Sequence, residues 1–351
     1  METEIVNIDI NNIDEEKIKY CGNIIKSGGL VAFPTESVYG LGADAFNSKA
    51  VKKIFKAKGR PNDNPIIVHI ANNEDILKIT PEITPQIKEY MNNFWPGALT
   101  LIVKKHKDIP QETSAYLNTI GVRQPSHPIA NALIKSCGPI AAPSANLSGK
   151  PSPTSASHVL NDLKGKVNCI IDSGVSTFGI ESTVIDMYTN TIVRLGAVSQ
   201  SKLIPFGVGI YSLDMEQNLV DKPIAPGQKY KHYAPNAHVT LFYGEKDLVT
   251  KTIKNRIIAC KPHTSIGVLL TNDTLHSYKG LPCITLSLGD FNKPLQLSQN
   301  LYACLRKFND LNVTHIFIEG FLQTHDLYLS IMERLLKASS YNVVFCDYIP
   351  K

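Results

Sequence analysis

The chain has 351 residues, of which 43% are apolar and 19% are charged, and its formal net charge is +5. This length allows two packed cores, and the charge, glycine and proline contents are ordinary for a globular protein. Residues 1–206 hold 21 Lys and Arg against 19 Asp and Glu, and residues 207–351 hold 15 against 12. Neither part has the dense basic surface that nonspecific nucleic-acid binding requires, although this balance still allows a transient contact with RNA.

Targeting and redox signals are weak in this sequence. The first ten residues, METEIVNIDI, contain acidic residues and no apolar core, so no secretory signal is predicted. The longest apolar runs have the length of strands, which predicts no membrane span and a cytoplasmic location. The seven cysteines are scattered without a C-x-x-C pair, so we expect reduced, mostly buried thiols and no protein-built metal site.

Short β-branched runs alternate with amphipathic helices over the first 206 residues, and this predicts an α/β domain. In SKAVKKIFKAK the apolar residues fall on one helical face, and Ser126-His127-Pro128 supplies a capping residue and a proline before a helix that Gly138 ends. The polar residue Glu181 directly precedes the predicted strand over 182–186, and this favours mixed pairing of the strands over purely parallel pairing. The predicted strands of this domain are 29–33, 65–70, 99–103, 168–172 and 182–186.

The periodicity fails between about Pro205 and Pro235, where glycine and proline are frequent. We therefore predict a catalytic domain over 1–206, a linker over 207–237 and a smaller domain over 238–351. Strands and helices alternate again in the last range, which favours a Rossmann-like α/β sandwich. No G-x-G-x-x-G follows its first strand, so the fold alone implies no cofactor there.

Arginine is scarce in the predicted catalytic domain. Residues 1–206 contain 18 lysines but only Arg60, Arg123 and Arg194 as arginines, and all three lie in turn-rich or strand-end segments. A single arginine of this kind is more often a structural ion pair. Three together favour recognition of phosphate or carboxylate, which the planar guanidinium binds through two parallel hydrogen bonds.

The segment KAKGRPNDNP places Lys58 and Arg60 across a glycine-proline turn at the end of a helix. Both cations can converge on one polyphosphate there, with Asn62 and Asn64 supplying amide contacts. The alternative is a solvated helix C-terminus whose cations complement the helix dipole, and this explains Lys56 better than Arg60.

Two further segments are rich in hydroxyl groups. FPTESVYGLGADA follows a strand with Thr35, Glu36 and Ser37, and its glycines permit close backbone approach to a small polar substrate. An ordinary turn is an equally good interpretation of this segment alone. APSANLSGKPSPT continues an apolar strand into an ordered loop that can hold phosphate and ribose.

Six segments resemble, in the same order, those of the YrdC/Sua5 family. They are FPTESVYGLG, KGRPNDNPIIVHI, WPGALTLI, GVRQPSHP, APSANLSGKPSPT and IESTVID. The later segment PGQKYKHYAP is similar to the linker that marks the two-domain Sua5 branch, so the resemblance covers essentially the whole chain. It implies a YrdC-like twisted mixed sheet with helices, followed by a Rossmann-like Sua5 domain.

The resemblance also implies an activity, namely formation of L-threonylcarbamoyladenylate and pyrophosphate from L-threonine, bicarbonate and ATP. That product would serve a downstream transferase that modifies adenosine 37 of tRNA. The expected catalytic residues are Lys58 and Arg60. The expected threonine ligands are Thr35, His69, Arg123 and Ser182. For His69, the alternative is a strand histidine that is satisfied within the core. The expected ATP ligands are Lys58, Arg60, Asn64, Thr119, Ser144, Asn146, Thr154, Arg194 and Tyr233.

The expected mechanism needs no protein nucleophile, and the sequence offers neither G-x-S-x-G nor a Cys/His pair in a recognisable context. Mg²⁺ is expected mainly on the ATP phosphates. Residues Lys229 to Tyr233 of the linker could close over the nucleotide as a lid, and a solvated tether is the alternative. Two other functions stay open: a non-catalytic RNA-binding module, and a transferase that uses carbamoyl phosphate.

Overall fold

The computed structural model describes residues 2–213, 215, 233–261, 264–322 and 326–346. These residues form two compact units. The N-terminal unit contains 2–148 and 152–211, and the C-terminal unit contains 149–151, 212, 213, 215 and the described residues from 233 onward. Most of the predicted linker therefore lies outside the described residues, including Lys229, Tyr230, Lys231 and His232.

The N-terminal unit is an α/β layer structure around one large sheet. Its strands are β1 (Glu4–Asn7), β2 (Val31–Phe33), β3 (Gly40–Asp44), β4 (Val68–His69), β5 (Leu99–Lys104), β6 (Thr119–Arg123), β7 (Ile140–Ala141), β8 (Cys169–Asp172), β9 (Thr183–Asp186) and β10 (Thr191–Arg194). Its helices are α1 (Glu15–Lys26), α2 (Ser48–Lys58), α3 (Pro85–Phe94), α4 (Pro128–Cys137), α5 (Ala156–Leu163) and α6 (Gln200–Leu203), with 3₁₀ turns at Asn73–Lys78 and Ile204–Phe206.

This sheet is mixed, as the sequence predicts. Its strand order is β1-β8-β2-β3-β7-β4-β6-β5-β9-β10. Parallel pairs such as β4 with β6 alternate with antiparallel pairs such as β5 with β6. The predicted strand over 65–70 pairs only at Val68 and His69, because Pro65 has no N–H and the N–H of Ile66 donates to Thr113 outside the ladder.

Local capping explains the helix that precedes the basic segment. The side chain of Asn47 accepts the N–H of Ala50 at the start of α2, and Gly59 ends the helix in the left-handed region at φ 60°. The helix that begins at Pro128 is also confirmed, but its cap is His127, whose ring nitrogen accepts the N–H of Ile129 at 3.2 Å.

The C-terminal unit contains a five-stranded, all-parallel sheet of order β13-β12-β14-β11-β15. Its elements are β11 (His238–Gly244), α7 (Lys246–Ala259), β12 (Ile266–Leu270), a 3₁₀ turn (Leu275–Tyr278), β13 (Ile284–Ser287), α8 (Pro294–Asp310), β14 (His315–Glu319), α9 (Asp326–Ala338) and β15 (Val343–Cys346). The predicted Rossmann-like alternation of strands and helices is confirmed.

Helices cover both faces of this parallel sheet. Val249 and Ile253 of α7 pack in one core with Phe242 and Val268. On the opposite face, α8 lies so close to β12 that a Cβ atom on Gly267 would be 2.4 Å from the ring of Phe308. Both faces are therefore buried, as an all-parallel sheet requires.

Within the described ranges, no helix is both long enough and apolar enough to span a membrane.

Candidate active site

The site is built where neighbouring strands of the N-terminal sheet end in polar side chains. His69 of β4 and Arg123 of β6 are direct partners in a parallel ladder, so their side chains leave the same face of the sheet. Phe33, the last residue of β2, packs its ring edge-on against His69 with 6.3 Å between centroids. The strands thus bring the start of the FPTES segment to the two predicted threonine ligands.

Arg123 is the centre of a buried polar cluster and is only 3% exposed. Its Nη2 lies 2.6 Å from Oε1 of Glu36, its Nη1 donates to Oγ of Ser37 at 2.8 Å, and its Nε donates to the carbonyl of Gly97 at 3.1 Å. Two separate segments, residues 36–37 and Gly97, therefore fix the guanidinium plane in one orientation.

Glu36 is a buried member of this cluster that the sequence analysis did not include among the predicted ligands. Burial alone would raise its pKa, but the Arg123 guanidinium and backbone hydrogen bonds hold the pKa of Glu36 below its ordinary value. Glu36 is therefore a carboxylate at neutral pH. Its position directly after a strand, between two hydroxyl residues, was the available signal.

His69 is neutral in this cluster. Burial, and after it the nearby Arg123 cation, lowers the pKa of His69 to about 3. Its Nδ1 is buried and forms no hydrogen bond within the described residues. A buried ring nitrogen without a partner is costly, and it suits hydrogen bonding to a ligand.

Thr35 joins the same cluster through hydroxyl groups. Its Oγ1 lies 2.9 Å from Oγ of Ser37 and donates to the carbonyl of Val38 at 2.6 Å. Through Ser37, these bonds connect Thr35 to Arg123, so two of the predicted threonine ligands belong to one hydrogen-bonded chain.

Lys58 lies in the predicted nucleotide region and is almost completely buried. Its Nζ donates to the carbonyls of Ser144 and, at 2.7 Å, of Asn146, and it lies 3.4 Å from Oδ1 of Asn146. The carbonyl of Lys58 accepts the N–H of Ser148 at 2.9 Å. The lysine thereby fixes the loop that carries the two predicted ATP ligands.

Arg60 lies on the other side of the Gly59 turn and is 8% exposed. Its Nη2 donates to the carbonyls of Asn64 at 3.3 Å and Pro65 at 3.1 Å. The Oδ1 atom of Asn64 is buried and accepts no hydrogen bond among the described residues. The predicted basic segment is thus a tight, self-bonded turn and not a solvated helix end.

Residues 39–41 connect the two clusters. The N–H of Leu41 donates to the carbonyl of Pro143, and the N–H of Ala145 donates to the carbonyl of Tyr39, each at 2.8 Å. Gly40 forms an isolated bridge with Ser144. Because this strand continues directly from Glu36 and Ser37, the Arg123 cluster and the Lys58 loop share one continuous backbone support.

The other predicted ligands have partners of their own. Arg194 donates to Ser182, reaching its carbonyl at 2.8 Å and its Oγ at 3.1 Å, and this Oγ lies 2.8 Å from Oγ1 of Thr100. Thr119 is at the opposite end of β6 from Arg123, about 13 Å away at strand rise.

Thr154 and Tyr233 form contacts with other residues. The backbone N–H of Thr154 donates to Nδ1 of His158 at 3.3 Å. Tyr233 belongs to the C-terminal unit, where it packs on Tyr302 with 5.2 Å between ring centroids. The structure therefore gathers Thr35, His69 and Arg123 in one cluster, and Lys58, Ser144 and Asn146 in the other.

The donor set does not fit a protein-built Mg²⁺ site. Within the part of the chain that the structure describes, no group of three or more His, Cys, Asp or Glu side chains could hold a metal ion. Glu36, the acidic side chain of the Arg123 cluster, is committed to a guanidinium.

Comparisons with known proteins agree with this architecture. The family model described as "Telomere recombination", for Sua5, YciO and YrdC proteins, matches residues 23–196. The model described as "Threonylcarbamoyl-AMP synthase, C-terminal domain" matches residues 196–340.

Curated relatives match over nearly their full length. The threonylcarbamoyl-AMP synthase of Pyrococcus abyssi is 41% identical, and the alignment covers 97% of this chain and 99% of that protein. The Bacillus subtilis protein of the same name is 40% identical, with 94% of this chain and 95% of that protein covered. A crystal structure of the P. abyssi Sua5 protein complexed with L-threonine has a TM-score of 0.90, covers 97% of this chain and 99% of that chain, and is 40% identical. On the order of its motifs, its two folds and these full-length matches, the chain belongs to the two-domain Sua5 branch of the Sua5/YrdC family.

Proposed function

We propose that the chain is a nucleotidyltransferase that forms L-threonylcarbamoyl-AMP and pyrophosphate from L-threonine, bicarbonate and ATP. The observation that carries this proposal is the match, at a TM-score of 0.90 over 97% of the chain, to a Sua5 structure that contains L-threonine. The geometry of the buried Arg123 cluster supports it independently.

Arg123 binds the carboxylate of threonine in this proposal. Glu36, Ser37 and Gly97 hold the guanidinium in place before the substrate arrives, so little conformational entropy is lost on binding. The unpartnered Nδ1 of His69 and the hydroxyl of Thr35 then bind the polar groups of the substrate. Ser182 is the fourth predicted ligand, and its bonds with Arg194 make that arginine a positioning residue for it.

Lys58 and Arg60 stabilise the ATP phosphates. Both side chains are buried at the turn beside the 144–146 loop, where a cation interacts more strongly with an anion than it would in water. Asn64 offers a buried amide, and Ser144 and Asn146 line the loop that Lys58 fixes. Thr119, Thr154, Arg194 and Tyr233 stay predictions as nucleotide ligands.

The chemistry needs orientation and charge stabilisation, with no covalent enzyme intermediate. The amine of threonine combines with carbon dioxide derived from bicarbonate, loses a proton and becomes a carbamate. A carbamate oxygen then attacks the α-phosphorus of ATP, while the bond from that phosphorus to the β-phosphate oxygen breaks and pyrophosphate leaves. The positions of Lys58 and Arg60 suit the negative charge that develops on the phosphates.

The proposed reaction also involves Mg²⁺ and a downstream transferase, and it takes place in a chain of two domains joined by a linker. Mg²⁺ accompanies ATP as its phosphate complex, and the product passes in the cytoplasm to a transferase that modifies adenosine 37 of tRNA. Residues 1–206 form the catalytic domain, residues 207–237 the linker, and residues 238–351 the Sua5 domain.

Pyrophosphate release tests this proposal directly. Purified protein is incubated with ATP, L-threonine and bicarbonate, each omitted in turn, and released pyrophosphate is measured. We expect release only with all three, together with a product whose mass equals that of threonylcarbamoyl-AMP. Equal release without threonine would contradict the proposal, as would product formation from carbamoyl phosphate in place of bicarbonate.

A further inference from the structure

Residues 142–154, which we term the nucleotide loop, are held near both ends by the backbone of one residue. The carbonyl of Tyr39 accepts the N–H of Ala145 at 2.8 Å, and the N–H of Tyr39 donates to the carbonyl of Pro153 at 2.9 Å. The loop therefore follows a fixed path past the segment that leads from Glu36 into β3.

A side-chain hydrogen bond ties the last part of this loop to a second place in the N-terminal unit. Oγ of Ser152 donates to Oε1 of Glu181 at 2.6 Å. The two residues are 2% and 7% exposed, so water has little access to either of them. Removing one partner would leave a buried polar group of the other without this bond, which is costly.

The backbone around Glu181 is itself tightly packed. Its carbonyl accepts the N–H of Ala197 at 3.0 Å, and a Cβ atom on Gly196 would lie 2.4 Å from the same carbonyl oxygen. Arg194 donates to the carbonyl of Ser182, the next residue in the chain. The carboxyl group of Glu181 therefore projects from a backbone segment that cannot shift without disturbing its neighbours.

The bond between Ser152 and Glu181 connects the two substrate regions of the proposed function. Ser152 lies two positions before Thr154, a predicted ATP ligand, and Glu181 directly precedes Ser182, a predicted threonine ligand. Neither Ser152 nor Glu181 is itself among the predicted ligands. Since a misplacement of about 1 Å between reacting groups can lower a rate about 100-fold, a contact that sets their separation affects the reaction.

We propose that Glu181 is a positioning residue, which holds the nucleotide loop in place relative to Ser182 through its hydrogen bond with Ser152. This inference rests on the proposed function and assigns to Glu181 no contact with either substrate. Loss of the bond lets the loop move away from the position that ATP requires. A purely structural bond would instead lower the folded fraction, and with it kcat, and leave the KM for ATP unchanged.

A double-mutant cycle tests the proposal. Pyrophosphate release is measured at varied ATP for the full-length wild type, Ser152→Ala, Glu181→Ala and the double variant. We expect each single change to raise the KM for ATP at least about fivefold. The double variant should lie within about twofold of the weaker single variant, because both changes remove the same bond.

A matched control and a stability measurement separate positioning from folding. Ser298→Ala removes an equally buried hydroxyl, which donates to the carbonyl of Leu295 at 2.9 Å in α8, and its KM for ATP should stay within about twofold of the wild type. Urea unfolding shows whether each variant is folded under the assay conditions. If Glu181→Ala is unfolded, Ser152→Ala alone decides, since it removes the same bond by deleting one oxygen atom.

The dissociation constant of radiolabelled ATP, measured by equilibrium dialysis, gives a readout that needs no turnover. A wild type that binds ATP but releases no pyrophosphate would contradict the proposed function, and the variants would still test the role of Glu181 through this constant. Folded Ser152→Ala protein with wild-type KM and dissociation constant for ATP would overturn the inference. Effects of the two changes that multiply in the double variant would overturn it as well.

Discussion

At the level of single residues, the guanidinium of Arg123 and the carboxylate of Glu36 form a buried ion pair. Their side chains are 4% and 5% exposed. A buried pair of this kind is weak support for stability, because desolvation of both ions offsets most of their attraction. The ion pair instead orients Arg123, because together with the hydrogen bond to Ser37 it restricts the guanidinium to one orientation.

Replacing Glu36 tests this orienting role. Glu36→Gln leaves the buried Arg123 cation without its counterion, so we expect a loss of about 3 kcal/mol in the free energy of unfolding and a raised KM for threonine. Urea titration and steady-state kinetics measure the two effects. Glu112→Gln, which breaks a partly exposed pair with Lys52, should cost no more than about 1 kcal/mol and leave the KM unchanged. Equal losses in both variants would refute the orienting role.

Lys58 allows a second test at the residue scale. Lys58→Ala removes the cation proposed to act on the phosphates and also frees the 144–146 loop, so we expect pyrophosphate release to fall by on the order of 100-fold or more. Lys56→Ala is the matched control, because Lys56 belongs to the same helix end but is exposed, and its activity should stay within about twofold. Retained activity in a folded Lys58→Ala protein would exclude the catalytic role.

The low pKa of His69 predicts how stability depends on pH. The unfolded chain binds a proton at this residue below about pH 6.5, whereas the folded chain keeps the ring neutral down to about pH 3. Stability should therefore be full above pH 6.5 and fall as the pH decreases toward 3. Between pH 6.5 and 5.0 the loss is about 2 kcal/mol.

Urea unfolding at pH 7.5 and at pH 5.0 measures this dependence. In His69→Gln the pH-dependent loss should be smaller by about 2 kcal/mol, and in His106→Gln, at a less buried histidine, it should match the wild type. A dependence that persists unchanged in His69→Gln would show that other groups cause it.

Close packing of strands sets the geometry of the site at the level of elements. A Cβ atom on Gly42 of β3 would lie 2.8 Å from Cγ2 of Ile140 and 2.9 Å from Cε1 of Phe33. Phe33 in turn packs against His69, so a displacement of the Phe33 ring would also displace a residue of the Arg123 cluster. Glycine is therefore required here for space and not for an unusual backbone conformation.

We expect Gly42→Ala to lower the free energy of unfolding by about 1 to 3 kcal/mol through overpacking. Gly209→Ala is the control, because no atom lies within 4 Å of a Cβ atom there, and its effect should stay within about 0.5 kcal/mol. Thermal unfolding compares the two. A neutral Gly42→Ala would mean that Phe33 and Ile140 move aside at little cost.

Periodicity predicted elements well where one face of a helix is apolar. The bounds of α2 agree with the sequence, because its cap residue and its apolar spacing are local properties. The pattern missed β3, since GLGAD has no alternation of polar and apolar residues, and it overextended β4, since a proline and a loop contact end the ladder early. Strand order depends on pairings distant in sequence, which no local pattern encodes.

The candidate site was predicted in part for the same reason. Motifs of the resembling family gave Lys58, Arg123 and His69 as members of the site, and the structure gathers them into two neighbouring clusters. The role of Glu36 was not visible, because its partner Arg123 is 87 positions away in the chain. The pairing of Arg194 with Ser182 likewise required the folded arrangement of β9 and β10.

At the level of the whole molecule, the modest net charge of +5 is spread over both units. We therefore expect RNA binding no tighter than about 10⁻⁵ M at physiological salt, because few phosphates can be neutralised together. Filter binding with tRNA at several salt concentrations measures this. Submicromolar binding at physiological salt would contradict the prediction and favour an RNA-binding role.

The place of β1 in the sheet has a consequence for synthesis of the chain. Glu4 pairs with Cys169, so among the described strands the neighbour of β1 is β8, 165 positions later in the chain. At roughly 5 to 20 residues per second, a ribosome needs about 8 to 33 s to make the intervening chain. During that interval β1 leaves the ribosome without its partner, and the edge of the large sheet closes only after most of the N-terminal unit has been translated.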